Sequence, residues 1–157
     1  MALEFSPETL QKFAAIVARY PKKEAAMLPV LYLAQEEFGH IGHEAIDYVA
    51  KLMEQPAARV YSVVSFYTMF NMKPIGRHHI QVCRTLPCAL KGAGQVTAYI
   101  GEKLSITPGE TTADRRFTLS EVECLASCGT APMMQVDDAY YEDLTPTKID
   151  EILASLE

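Results

Sequence analysis

Four cysteines in two close pairs constrain this chain more than any other feature. Cys83 and Cys88 form a C-x4-C motif, and Cys124 and Cys128 form a C-x3-C motif. Each pair follows the end of a segment that the sequence predicts to be a β-strand. Because loops at the ends of neighbouring strands lie close together, the four sulfurs can meet at one point. The spacing therefore predicts a site built from thiol groups.

The chemistry of that site depends on the redox compartment. The N-terminal residues lack the basic region, apolar region and cleavage site of a secretory signal. We therefore expect a reducing compartment, in which disulfides are rare. A thioredoxin-type dithiol would need C-x-x-C, which the sequence does not contain. A [2Fe–2S] cluster, a zinc ion and four unrelated buried thiols remain possible.

The spacing of the pairs favours the iron–sulfur cluster among these three. Each iron of a [2Fe–2S] cluster needs two thiolates, so one cysteine pair per iron is a natural division. Zinc also binds four thiolates, but its loops are usually tighter, most often C-x2-C. The zinc ion and the unrelated thiols stay open as alternatives.

The net charge and the apolar content exclude several other functions. The 157-residue chain carries a net charge of −6, which argues against nucleic-acid binding and against docking on anionic lipid. No apolar run approaches the length of a membrane span. The glycines of Gly92-Ala93-Gly94 lack the residues that complete a phosphate-binding loop. We therefore expect no catalytic residue and no NADH or FMN site on this chain.

The first half of the chain predicts a helical domain. Ser6-Pro7 is a typical helix start, with an N-cap serine followed by proline at the first helical position. Apolar residues then recur at helical spacing over four segments, the first of which includes Leu10, Phe13, Ala14, Val17 and Tyr20. The turn-forming stretch Lys73-Pro74-Ile75-Gly76 marks the predicted boundary. Residues 1–74 are thus predicted to be an N-terminal helical domain and residues 75–157 a second domain.

The second half predicts a sheet flanked by helices, close in layout to thioredoxin. The sequence predicts strands over 78–83 and 117–123, and a hairpin of 133–136 and 139–142 that turns at Asp137-Asp138. One helix is predicted over 88–104, and another begins at Thr145-Pro146. His78 and His79 are interpreted as surface residues that open a strand rather than as metal ligands. The predicted fold class is α+β, a helical bundle followed by a mixed sheet.

Several stretches resemble a known family, the 24-kDa subunit of respiratory complex I (NADH-quinone oxidoreductase). The similar stretches include Val63–Phe70, Val82-Cys83, Pro87-Cys88, Glu121–Leu125, Ala131-Pro132-Met133 and Tyr140–Thr145. The resemblance implies a thioredoxin-like [2Fe–2S] domain preceded by a helical domain. It also implies that the four cluster ligands are Cys83, Cys88, Cys124 and Cys128. The family often has glycine where this chain has Ala126, and a methyl group there can shift hydrogen bonds to sulfur.

The function implied by the resemblance is electron transfer within an enzyme complex. The chain would carry its cluster close to the FMN of a partner flavoprotein subunit that binds NADH, forming a heterodimer within complex I. It would lie in the cytoplasm, on the inner face of a bacterial membrane through the complex and without membrane insertion of its own. Two alternatives remain: the equivalent diaphorase subunit of an NAD-linked hydrogenase or formate dehydrogenase, and a zinc-stapled interaction module.

Overall fold

A computed structural model describes residues 3–156 of the protein. The chain forms two compact units, Met1–Pro74 and Ile75–Glu157. The first is helical, and the second combines helices with a four-stranded mixed sheet, so the predicted α+β class is confirmed. None of the helices in the described range is both long and apolar enough to cross a membrane.

Helices with one buried face build the first unit. They are α1 (Pro7–Val17), α2 (Met27–Phe38), α3 (His43–Met53) and α4 (Ala57–Phe66), with a short 3-10 turn at Lys23–Ala26. The core consists of residues three or four positions apart on each of the later helices, such as Val30, Ala34, Ile46, Val49, Met53, Val60 and Val64.

Local capping chemistry sets two of the helix ends. The Ser6 hydroxyl accepts a hydrogen bond of 3.2 Å from the Thr9 N–H and so begins α1 as predicted. Gly39 ends α2 with φ of 76°, a left-handed conformation that favours glycine.

The predicted apolar face of α1 is wrong in part. Leu10 is 41% exposed, whereas Thr9 is buried; Tyr20, 37% exposed, lies beyond the end of the helix. The helix is rotated so that Thr9, Phe13 and Ile16, at spacings of four and three, share the face toward the core. Burial of the Thr9 hydroxyl is possible because it donates to a carboxylate oxygen of Glu37 at 2.7 Å.

The sheet of the second unit has the strand order β2-β1-β3-β4. The strands are β1 (His78–Cys83), β2 (Phe117–Val122), β3 (Met134–Val136) and β4 (Ala139–Tyr141). Central β1 pairs in parallel with β2, and β3 pairs antiparallel with both β1 and β4. The register of the parallel pair places Cys83 opposite Val122, so both strands end at the same edge. That edge is where the two cysteine loops begin.

Helices α6 (Ala93–Leu104) and α7 (Pro146–Ser155) belong to the apolar core of this unit. Ile80 and Val82 of β1 are fully buried, as are Leu119 of β2 and Ile100 of α6. The Thr145 hydroxyl accepts from the Lys148 N–H and begins α7, as the sequence predicts. Cys83 and Cys88 are part of this same core.

The helix predicted over 88–104 is interrupted. The structure has a short helix, α5 (Leu86–Leu90), that ends before α6 begins at Ala93. Gly92 between them has φ of 96°, which no right-handed helix accommodates. The break keeps Cys88 on its own short helix next to the end of β1.

Candidate metal centre

The first cysteine pair is held rigidly in the core. Cys83 is the last residue of β1, and Cys88 lies in α5; each is only 2% exposed. The Cys83 N–H donates to the Met133 carbonyl at 3.2 Å, which extends the ladder between β1 and the chain before β3. Both side chains are therefore fixed by the sheet and its core rather than by a flexible loop.

The second pair lies in a loop at the surface. Cys124 follows the end of β2, and Cys128 begins a 3-10 turn that ends at Thr130; both side chains are exposed. The Ala126 N–H donates to the Cys124 sulfur at 3.3 Å. Ala126 adopts φ of 63°, in the left-handed region that favours glycine.

The sulfurs associate in two pairs, and the pairs approach each other. Besides burial, the nearby thiol of Cys83 raises the pKa of Cys88, and the nearby thiol of Cys124 raises the pKa of Cys128. Against the effect of burial, the N–H of Leu125, next to Cys124, lowers the pKa of Cys83, so the two cysteine loops lie close together. All four thiols are free. Among residues 3–156, no three His, Cys, Asp or Glu side chains are grouped as ligands of one metal ion, so the four-cysteine ligand set stays a prediction.

The environment shifts the pKa values of three of these thiols. Burial raises the pKa of Cys83, but N–H donors from Leu125 and Thr85 and contacts with neighbouring side chains outweigh it, so the net pKa is lowered. Burial and the hydrogen bond from Cys83 raise the pKa of Cys88. The hydrogen bond with Cys124, followed by burial, raises the pKa of Cys128. Of these three thiols, that of Cys83 at the end of β1 therefore loses its proton most readily.

A carboxylate anchors the second cysteine loop to the sheet. Half-buried Glu142, just after β4, accepts hydrogen bonds from the hydroxyls of Ser127 and Thr130, the latter at 2.7 Å. Backbone bonds from Asp143 to Thr130 and from Leu144 to Pro132 run beside them at 2.8 and 3.0 Å. The loop that carries Cys128 is therefore held at both its side chains and its backbone.

The cation nearest in sequence to the first pair is already paired. Arg84 follows Cys83, and its guanidinium contacts the carboxylate of Glu123 at 2.6 and 3.1 Å. Both side chains are exposed, so water and salt screen the pair. Its structural effect is to connect the residue after Cys83 with the residue before Cys124.

The side chains and N–H groups around the four cysteines suit a negatively charged metal centre that is bound through sulfur. Four thiols supply the ligands that iron–sulfur clusters use. The Ala126 N–H donates to the Cys124 sulfur, and the N–H groups of Leu125 and Thr85 lower the pKa of Cys83 against the effect of burial, which favours negative charge on that sulfur. The buried hydroxyl oxygen of Thr85 has no hydrogen-bond partner of normal geometry within the described residues. The residues present therefore suit a bound cluster.

The sequence pattern of the thioredoxin-like [2Fe–2S] ferredoxins matches residues 13–157. The chain belongs to this family. Its relatives include an NADH-quinone oxidoreductase subunit of Rickettsia prowazekii, which is 46% identical over 95% of this chain and 86% of the relative. They also include the mitochondrial NADH dehydrogenase [ubiquinone] flavoprotein 2 of Dictyostelium discoideum, 46% identical over 90% of this chain and 59% of that protein.

A solved structure of low sequence identity supports the fold of this chain. A crystal structure of an NAD+-reducing [NiFe]-hydrogenase in the air-oxidized state matches with a TM-score of 0.73, covering 83% of this chain and 22% of that chain. At 20% identity this likeness concerns the fold alone. The family, the thioredoxin-like fold and, through the family, the [2Fe–2S] cofactor expected from the sequence are confirmed.

Two side chains near the cysteines have roles that the sequence pattern does not predict. The pattern predicts a loop at Thr85 and the end of a hairpin strand at Glu142. The available signal for Thr85 is its place between two cysteines and before a proline, where a threonine begins a helix. No local signal points to Glu142, because its partners Ser127 and Thr130 are more than ten positions away in the sequence.

Proposed function

We propose that this chain is the electron-transfer subunit of an NADH:quinone oxidoreductase and binds one [2Fe–2S] cluster through Cys83, Cys88, Cys124 and Cys128. The proposal is carried by the 46% identity, over 95% of the chain, with a protein named as a subunit of that enzyme. The chain then belongs to an enzyme without having an active site of its own. The hydrogenase alternative has only the likeness of fold.

The pairing of the thiols supports the ligand assignment. Neighbouring Cys83 and Cys88 would supply two ligands at one end of the site, and Cys124 and Cys128 would supply two at the other. Two separate pairs match a centre with two metal ions, each of which needs two thiolates. A single zinc ion requires all four sulfurs around one point. Residues 75–157 are accordingly proposed as the cluster domain and residues 1–74 as the helical domain.

When bound, the cluster supplies acceptance and return of one electron at a time. The protein fixes the sulfurs and directs N–H groups toward them. The net charge of −6 disfavours the more negative reduced form, which predicts a low reduction potential. We propose that the electrons come from the FMN of a partner flavoprotein subunit that binds NADH. The complex would hold this chain at the inner face of a bacterial membrane.

The decisive experiment is an anaerobic assay of iron and acid-labile sulfide, combined with EPR before and after dithionite. About two irons and two sulfides per chain are expected from the cluster formula, with an S = 1/2 signal that appears only on reduction. A colourless protein with one zinc would contradict the proposal and favour the interaction module.

Ligand variants test the assignment residue by residue. Cys124→Ser should lower the cluster content or change its EPR spectrum, because oxygen is a poor replacement for sulfur at iron. His78→Ala, at the opposite end of β1, should leave both unchanged. An unaltered cluster in Cys124→Ser would remove that residue from the ligand set. Co-purification of an FMN-containing subunit from native membranes tests the partner separately.

A further inference from the structure

Thr85 begins α5 without the side-chain hydrogen bond that usually accompanies its position. It is the N-cap of the helix, yet its hydroxyl caps no backbone N–H. The reason lies partly in the sequence: an N-cap hydroxyl accepts from the second or third helical residue, and the second here is Pro87, which has no N–H. The hydroxyl of Thr85 is therefore free to serve another acceptor.

Few hydrogen-bond acceptors are available to that hydroxyl. Its oxygen is buried from solvent and lacks a partner of normal geometry within residues 3–156. Leaving a buried hydroxyl unpaired is unfavourable, so such a group in a folded protein calls for an acceptor. Cys83 lies two residues earlier, and the N–H and the hydroxyl of Thr85 help to lower the pKa of its thiol against the effect of burial, so its sulfur is near the Thr85 hydroxyl.

We propose that Thr85 is a positioning residue whose hydroxyl donates a hydrogen bond to the Cys83 sulfur when that sulfur is a cluster ligand, and that this bond raises the reduction potential of the cluster. The inference rests on the proposed function, because it requires the cluster on Cys83. Reduction adds negative charge that the sulfurs share, and a hydrogen bond to sulfur becomes stronger as the charge on that acceptor becomes more negative. The bond therefore stabilises the reduced form more than the oxidised form.

Other groups near the sulfur do not duplicate this effect. The charge of Arg84 is held by Glu123 at the surface and is screened there. The N–H donors are backbone groups that side-chain substitution leaves in place. Thr85 is thus a donor to the Cys83 sulfur that a single substitution can remove without removing charge.

A matched control exists within the same unit. Thr97 of α6 is buried, at 6% exposure, and its hydroxyl oxygen, like that of Thr85, is buried and without a partner among the described residues. It lies on a different helix from the cysteines. Thr97→Val and Thr85→Val therefore make the same chemical change, and only the second removes a hydroxyl next to a predicted cluster ligand.

The test is an EPR-monitored redox titration of the full chain with its cluster, in wild type, Thr85→Val, Thr85→Ser and Thr97→Val. At a fixed solution potential, Thr85→Val should have a ratio of reduced to oxidised cluster five to ten times lower than wild type; tenfold is about 59 mV for one electron. Thr85→Ser keeps the hydroxyl and should stay within about twofold of wild type. Thr97→Val should titrate like wild type.

The outcomes separate this inference from the proposed function. A wild type without a [2Fe–2S] signal overturns both. A normal signal in wild type with an unchanged potential in Thr85→Val overturns only the role of Thr85. A Thr85→Ser shift as large as that of Thr85→Val also overturns it, because the methyl group rather than the hydroxyl would then matter. If Thr85→Val does not retain its cluster, Thr85→Ala is titrated instead, and a potential equal to wild type overturns the inference.

Discussion

Replacing Glu142 should loosen the loop that carries Cys128. Its carboxylate accepts from two hydroxyls, those of Ser127 and Thr130, and so connects that loop to the end of β4. Glu142→Gln keeps the shape of the side chain and removes its charge. Glu142→Ala removes the acceptor altogether. The pair of variants therefore separates the effect of charge from that of hydrogen bonding.

The magnitude follows from the two bonds. A hydrogen bond to a charged acceptor contributes about 1.5–3 kcal/mol, and one between neutral groups about 0.5–1.5 kcal/mol. Glu142 is only half-buried, so water replaces part of what is lost. We expect Glu142→Gln to lower the free energy of loop opening by about 1–2 kcal/mol, and Glu142→Ala by about 2–3 kcal/mol.

Amide hydrogen exchange measures this opening directly. The N–H groups of Asp143 and Leu144 donate to the carbonyls of Thr130 and Pro132, and both bonds break when the loop opens. A change of about 1–2 kcal/mol corresponds to about a fivefold to thirtyfold faster exchange at these two amides in Glu142→Gln. Iron should also be lost to a chelator faster than from wild type.

Glu151→Gln is the control, because it makes the same substitution at an exposed position of α7. Its exchange and its rate of iron loss should match those of wild type. Unchanged exchange at Asp143 and Leu144 in Glu142→Ala would refute the reasoning, since the loop would then be held by its backbone alone.

Two further predictions concern strain and pH. Ala126→Gly should stabilise the protein by up to about 1 kcal/mol in urea unfolding, because relief of about 1–2 kcal/mol of left-handed strain exceeds the chain entropy that glycine adds to the unfolded state. Ala98→Gly, at an exposed site in α6, is the control and should destabilise the protein by about 1 kcal/mol. Equal effects at both sites would contradict the presence of strain at Ala126. Burial lowers the pKa of His79 against the opposing effect of Asp137. The unfolded state then binds more protons, so stability present above the ordinary pKa of about 6.5 is lost as the pH falls below it. Urea unfolding at pH 7.5 and 5.5 should show a smaller loss in His79→Gln than in wild type; equal losses would exclude His79 as the cause.

Features that depend on neighbouring residues in the sequence were predictable. Ser6 and Thr145 begin helices because a hydroxyl and a following proline act within one turn. The bounds of β1 follow from the alternation of side chains along the strand. The predicted strands placed Cys83 at the end of one strand and Cys124 just after another, although the four cysteines as the complete ligand set remain a prediction.

Features that depend on distant partners were not predictable. Thr9 is buried in place of Leu10 because a carboxylate 28 positions away satisfies its hydroxyl. The apolar pattern around Gly92 suits a continuous helix, and only the fold requires the left-handed break there. The difference in exposure between the two cysteine pairs likewise depends on which loop the core covers.

The parallel pairing of β1 and β2 also has a consequence for the topology of the chain. Cys88 and Cys124 lie before and after the connection that contains α6, with 35 residues between them. A cluster bound to both is a cross-link that closes this connection into a ring, even in the unfolded chain. A disulfide closing a ring of that size restricts the unfolded state by about 4 kcal/mol. Loss of iron would thus reopen the ring. The iron–sulfur bonds of the electron carrier would then also restrict the conformations of the unfolded chain.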